Sequence, residues 1–177
     1  MARGCGILAA VRVYVASTLS GLTRLLSAGA LPVPAGSTLT AHGVTRELWT
    51  ASPEAEEDEL EYTALMAAAY DSLVLIADTP GEQPARVVIV AEVPDRAVGR
   101  VVDVTSEVTV DGDVPLSRIS AIHVDELTAA DAVRAAAALV PAAQQGDVAA
   151  LDAVELEDYE LLWYATQEIA DLLAARD

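Results

Sequence analysis

The chain has two histidines, His42 and His123, and each falls within or at the end of a stretch patterned as a strand. With carboxylates nearby, such residues can hold a metal ion or exchange a proton as an acid–base pair. A metal centre needs three or four converging ligands, and neither histidine has a partner at a recognised ligand spacing. Asp125, two residues after His123, lies on the same strand face and is only one candidate. The spacing therefore predicts core histidines, with no metal and no cofactor. Ser17 and Thr18 stand where a strand turns into a helix, near Arg12 and Tyr14, the place where helix N–H groups can hold an anionic ligand. That turn has no glycine before Gly21 to let a phosphate approach, so its hydroxyls read first as helix caps. Glu54, Glu56, Glu57, Asp58, Glu59 and Glu61 could hold a divalent cation or face a basic partner, and they also sit where a helix dipole favours anions. Trp163 and Tyr164, beside Glu168, could floor a ligand pocket or fill a core. The signatures GxGxxG, GxxxxGK, GxSxG, HExxH and CxxC are all absent, which removes the common dinucleotide, phosphate, serine-hydrolase and zinc readings.

The elements that must position these residues follow from periodicity. Val11, Val13 and Val15 alternate with Arg12 and Tyr14 as a half-buried strand. Leu19, Leu22, Leu25 and Leu26 then take helical spacing up to Gly29 and Pro32. A loop over 31–37 leads to a weaker strand at 38–44 that contains His42. Ser52 and Pro53 predict the cap and first turn of a long helix, ended at Thr79-Pro80-Gly81 and apolar around so much of its circumference that it belongs at the centre. Residues 86–93 (RVVIVAEV) have the composition of an interior strand. Residues 101–110 alternate as a strand, and Asp111-Gly112-Asp113 predicts a hairpin-like return. A strand at 119–124 and an alanine-rich helix over 125–140, ending at Pro141, come next. The last helix is expected to begin near Asp152 and Glu155 and to run through Trp163 to Leu173. The fold class is α/β: one domain over 11–177, built on a mixed sheet of about five strands with helices packed against it.

Composition narrows the function classes. The 177 residues hold 28 acidic and 10 basic side chains, a net charge of −18, and every basic residue is arginine. Residues 1–53 carry four arginines against Glu47 alone, which leaves −21 on residues 54–177. A field of that sign repels nucleic acid and favours a basic protein partner. Lys, Asn and Phe are missing while Ala, Val, Gly and Arg abound, as expected from a GC-rich genome or from adaptation to strong salt. No run of eighteen uncharged apolar residues occurs, so no membrane span is expected. Cys5 stands alone, so no internal disulfide can form. Arg12 interrupts the short apolar stretch at the N-terminus, and the cytoplasm is the expected location.

Arg12-Val13-Tyr14-Val15 with Thr18-Leu19, 41–45 (AHGVT), 59–62 (ELEY), 121–125 (AIHVD) and 160–169 (ELLWYATQEI) occur in order. Together they resemble an actinobacterial family of uncharacterised proteins, a domain of unknown function. The resemblance spans Val11 to Leu173, departs from the family at Ala16 and Arg46, and implies that residues 1–10 are an N-terminal extension. It brings no catalytic residues. The leading expectation is a non-enzymatic acidic module that binds a basic protein through Glu54, Glu56, Glu57, Asp58 and Glu59, with self-association open. The alternative is a small enzyme or ligand-binding protein with a site at strand ends. That site would use Arg12, Tyr14, Thr18, His42, His123 and Glu168, with Glu61 or Tyr62 from a helix.

Overall fold

A computed structural model describes residues 10–31, 33, 36–100 and 106–176. Strand β1 (Ala10–Ser17) runs into helix α1 (Leu19–Ala28). Thr18 is the N-cap, its Oγ1 accepting the Gly21 N–H at 3.1 Å. Gly29, at φ 72°, closes the helix in the left-handed region that a residue without Cβ enters freely. The chain continues through β2 (Ala30–Leu31), β3 (Thr38–His42), α2 (Arg46–Ala51), α3 (Glu57–Asp78) and β4 (Val87–Pro94). It then passes through β5 (Val98–Arg100), β6 (Glu107–Asp111), β7 (Val114–Pro115) and β8 (Ile119–Asp125). Helices α4 (Ala130–Gln144) and α5 (Val148–Glu155), strand β9 (Leu161–Tyr164) and α6 (Ile169–Ala174) complete it.

Seven strands form one sheet in the order β5-β6-β3-β1-β4-β8-β9, and β2 pairs with β7 apart from it. One face, with Val13, Val15, Ile89 and Ile122, packs on Leu22 and Leu25 of α1 and on Ile169 and Leu172 of α6. The other face, with Tyr14, Val88, Val90 and Ala121, meets Ala64, Ala68 and Ala69 of α3. These small side chains let α3 lie close to the sheet. Leu73 and Ile76 on its far side pack with Val133, Ala136 and Val140 of α4 and Val154 of α5. Length and composition alone would let α3 cross a membrane, with a mean hydropathy of 1.3, but protein covers its apolar surface on two sides.

The α/β class and the central place of the long helix stand as expected. The sheet has seven strands instead of about five, and every neighbouring pair is antiparallel, so it is not mixed in strand direction. Ser52 ends α2, an unexpected helix capped by Thr45. The long helix starts later, where the Glu59 carboxylate accepts the Glu56 N–H at 3.0 Å. After Asp111 the chain pairs with β2 instead of returning along β6. Helix α4 continues through Pro141 to Gln144 because Val140 and Ala143 on either side of it stay buried. That packing outweighs the cost of a helical proline, about 3 kcal/mol. The largest correction is the last helix: residues 161–164 are an edge strand on β8, leaving Trp163 60% exposed. Residues 1–9, which include Cys5 and most of the expected extension, and residues 101–105 of the expected strand lie outside the described residues; Ala10 is already in β1.

Candidate functional site

A cavity of about 970 Å³ opens between α3, α5 and the β8–β9 edge. Helix α3 contributes Tyr62, Leu65, Met66 and Tyr70, spaced to share one face. Helix α5 adds Leu151, Val154 and Glu155, and the connection to β9 adds Leu156, Glu157, Tyr159 and Glu160. Leu156, at φ 53°, stops α5 in the left-handed region, and its carbonyl accepts the Tyr159 N–H at 3.0 Å. This turn brings Leu161 and β9 back alongside β8.

An ion pair braces the cavity. Arg86, 1% exposed, sits opposite Asp125, 0% exposed, where β4 and β8 meet. Its Nη2 reaches Asp125 Oδ1 at 2.7 Å, its Nε reaches Oδ2 at 3.0 Å, and its backbone N–H donates to Oδ2 at 2.7 Å. The same Nη2 donates to the Tyr159 carbonyl at 2.9 Å, tying the α5–β9 connection to the sheet. Arg176 also donates to the Asp125 carbonyl.

His123 stands on the α3 face of β8, in register with Val88 and Trp163, and lines the cavity. Burial lowers its pKa, against an opposing pull from the Leu161 carbonyl, so the ring is neutral at pH 7. Its Nδ1 is buried and bonds to no protein atom.

The other expected site residues are dispersed. His42 is buried and fully engaged, with Nδ1 2.9 Å from Ser106 Oγ and Nε2 3.0 Å from Asp71 Oδ2. The Asp71 carboxylate can only accept, so Nε2 donates to it, and in the neutral ring Nδ1 is then the acceptor for the Ser106 hydroxyl. That is the polarity of a nucleophile relay, but Ser106 is 4% exposed, so the hydroxyl is closed to substrate. Two strands separate His42 from His123, about 14 Å at the usual strand spacing. Arg12 binds Glu61 at 2.9 Å and Glu92 at 3.1 Å. The Glu92 bond is the main reason its guanidinium pKa is raised. Burial, with help from Glu61, pushes Tyr14 up to about 12.

The N-terminus of α1 already holds an anion of its own. Glu82 accepts from the Ser20 N–H at 3.3 Å and from the Ser20 hydroxyl. Burial works against its ionisation, but the Ser20, Thr18 and Gln83 bonds prevail and lower its pKa. Glu168 accepts the Ala165 N–H at 2.7 Å, a local cap. Glu54, Glu56, Glu57, Asp58 and Glu59 are exposed at the start of α3. Among the described residues, no group of three or more His, Cys, Asp and Glu side chains could hold a metal ion.

Residues 11–173 match a family of unknown function, DUF6912. The chain belongs to that family. The match covers the span on which the ordered segments from R-V-Y to E-L-L-W-Y rested. No curated protein and no solved structure matches the chain. In this DUF6912 chain the cavity draws on two of the expected side chains, His123 and Tyr62. The sequence reading missed Arg86, Tyr159 and the α5–β9 turn. The available signal was a lone arginine opening a buried strand, with an aspartate closing another.

Proposed function

We propose that this protein binds a small organic ligand in the cavity between α3, α5 and β8–β9. The observation that carries the reading is the cavity itself, walled by Leu65, Met66, Val154 and Leu161 together with the rings of Tyr62, Tyr70 and Tyr159. The volume suits such a ligand, since pockets for small molecules span roughly 300–1,000 Å³. A thermal-shift screen of small molecules, repeated on Leu151→Trp, tests it. Leu151 lines the cavity and is 42% exposed, so the larger ring fills space without disturbing the core. Hits that stabilise the native chain and vanish in L151W support the reading. Hits indifferent to L151W, or no hits, overturn it.

The edge strand favours a second reading, an acidic module that docks a basic protein. Trp163 and Leu162 are 60% and 43% exposed on the last strand of the sheet, and the carboxylates from Glu54 to Glu59 face solvent. This reading requires association with a basic protein that weakens in salt and in the Glu57→Gln/Asp58→Asn double variant. Binding indifferent to both would remove it. The acidic charge and the single cysteine fit a cytoplasmic setting for either reading.

A further inference from the structure

We infer that the ligand of this cavity is an organic cation, an apolar body carrying an ammonium group. The inference rests on the cavity reading and concerns which chemistry the cavity selects. Three carboxylates, Glu155, Glu157 and Glu160, belong to its lining, and all three residues are exposed. Among the described residues, the one lining residue with a permanent positive charge, Arg86, is met by Asp125 and turned toward the Tyr159 carbonyl. An entering anion therefore finds no uncompensated cation and passes a negative rim, whereas an entering cation is drawn in. Three tyrosines, Tyr62, Tyr70 and Tyr159, also line the space. Tyrosine rings carry negative faces that attract ammonium groups, most strongly where water is excluded. Leu65, Met66, Val154 and Leu161 supply surface for the apolar body. His123, neutral through burial, adds no opposing charge.

The test uses three probes that share an indole body and differ in the charge of the side arm: tryptamine, tryptophol and indole-3-propionate. Dissociation constants are measured by calorimetry at low and high salt on the native chain, on Glu157→Gln/Glu160→Gln and on L151W. Tryptamine is expected to bind about five-fold tighter than tryptophol at low salt, with indole-3-propionate weakest. In the double glutamine variant the advantage of tryptamine over tryptophol should fall to within about two-fold. The two substitutions lie at exposed positions, so folding is not at stake. Binding of the anion as tight as the cation overturns the ligand class, and a cation preference that survives E157Q/E160Q overturns the carboxylates as its source; the cavity reading stands if L151W abolishes that binding. If none of the probes binds at up to about 5 mM, the class falls, and the small-molecule screen on the native chain and L151W decides the cavity reading.

Discussion

Asp125→Asn removes one charge from a fully buried ion pair and changes almost nothing in shape. Arg86 and Asp125 are 1% and 0% exposed, so neither can turn to solvent when its partner is lost. The carboxylate accepts the Arg86 Nη2, Nε and backbone N–H groups at 2.7, 3.0 and 2.7 Å. An asparagine amide replaces one accepting oxygen by a donor, so at least one of these contacts becomes donor against donor and the guanidinium stays buried without its counter-charge. Breaking a buried pair in this way costs about 3–5 kcal/mol. With a urea dependence of about 2 kcal/mol/M, the midpoint of unfolding should fall by about 1.5–2.5 M. Replacing both partners, as Arg86→Met/Asp125→Leu, removes the charges together and should cost less than D125N alone, because no ion is stranded. Urea unfolding at pH 7, followed by far-UV circular dichroism, reads all three proteins. A midpoint shift under about 0.5 M in D125N would refute the argument that this pair is a buried, mutually dependent unit. So would a double variant less stable than D125N. Because Arg86 also holds the Tyr159 carbonyl, D125N should in addition weaken any ligand bound in the cavity.

Glu82→Gln should cost about 0.5–1 kcal/mol at pH 7, the worth of a charged group at a helix N-terminus. Its folded pKa lies below 4.5, so its stabilisation is complete above 4.5 and fades as pH falls through the lower folded value. The native chain should lose urea stability more steeply than E82Q over that acid range. Tyr14 ionises at about 12, against 10.0 when unfolded, so its contribution is present below pH 10 and is lost as pH rises toward 12. Absorbance at 295 nm should show one of the five tyrosines titrating late, and Tyr14→Phe should remove that step. Ala68→Leu, at a fully buried position between α3 and the sheet, should destabilise by about 1–3 kcal/mol through overpacking, measured by thermal unfolding. A neutral result there would mean that α3 does not lie close to the sheet.

Local pattern determined much of this protein from the sequence alone. The alternation of Val11, Val13 and Val15, a hydroxyl cap at Ser17 or Thr18, the Gly29 stop and the apolar run after Arg86 each state a preference satisfied within a few residues, and β1, α1 and β4 form where that pattern places them. The family was legible in the same way, from ordered segments along residues 11–173. Where two local solutions compete, the tertiary structure decided. Leu161-Leu162-Trp163-Tyr164 has apolar side chains that suit a helix or a strand, and the open edge of β8 makes it a strand by supplying hydrogen-bond partners along its backbone. The candidate site depended still more on that decision. Arg86 and Asp125 are 39 residues apart, and only the β4–β8 register makes them one ion pair. The cavity exists because α5 stops at Leu156 and β9 returns to the sheet, bringing Tyr62, His123 and Glu160 to one space. No short-range pattern encodes that convergence, because burial and pairing energies are set by which surfaces meet, and that is a property of the folded chain as a whole.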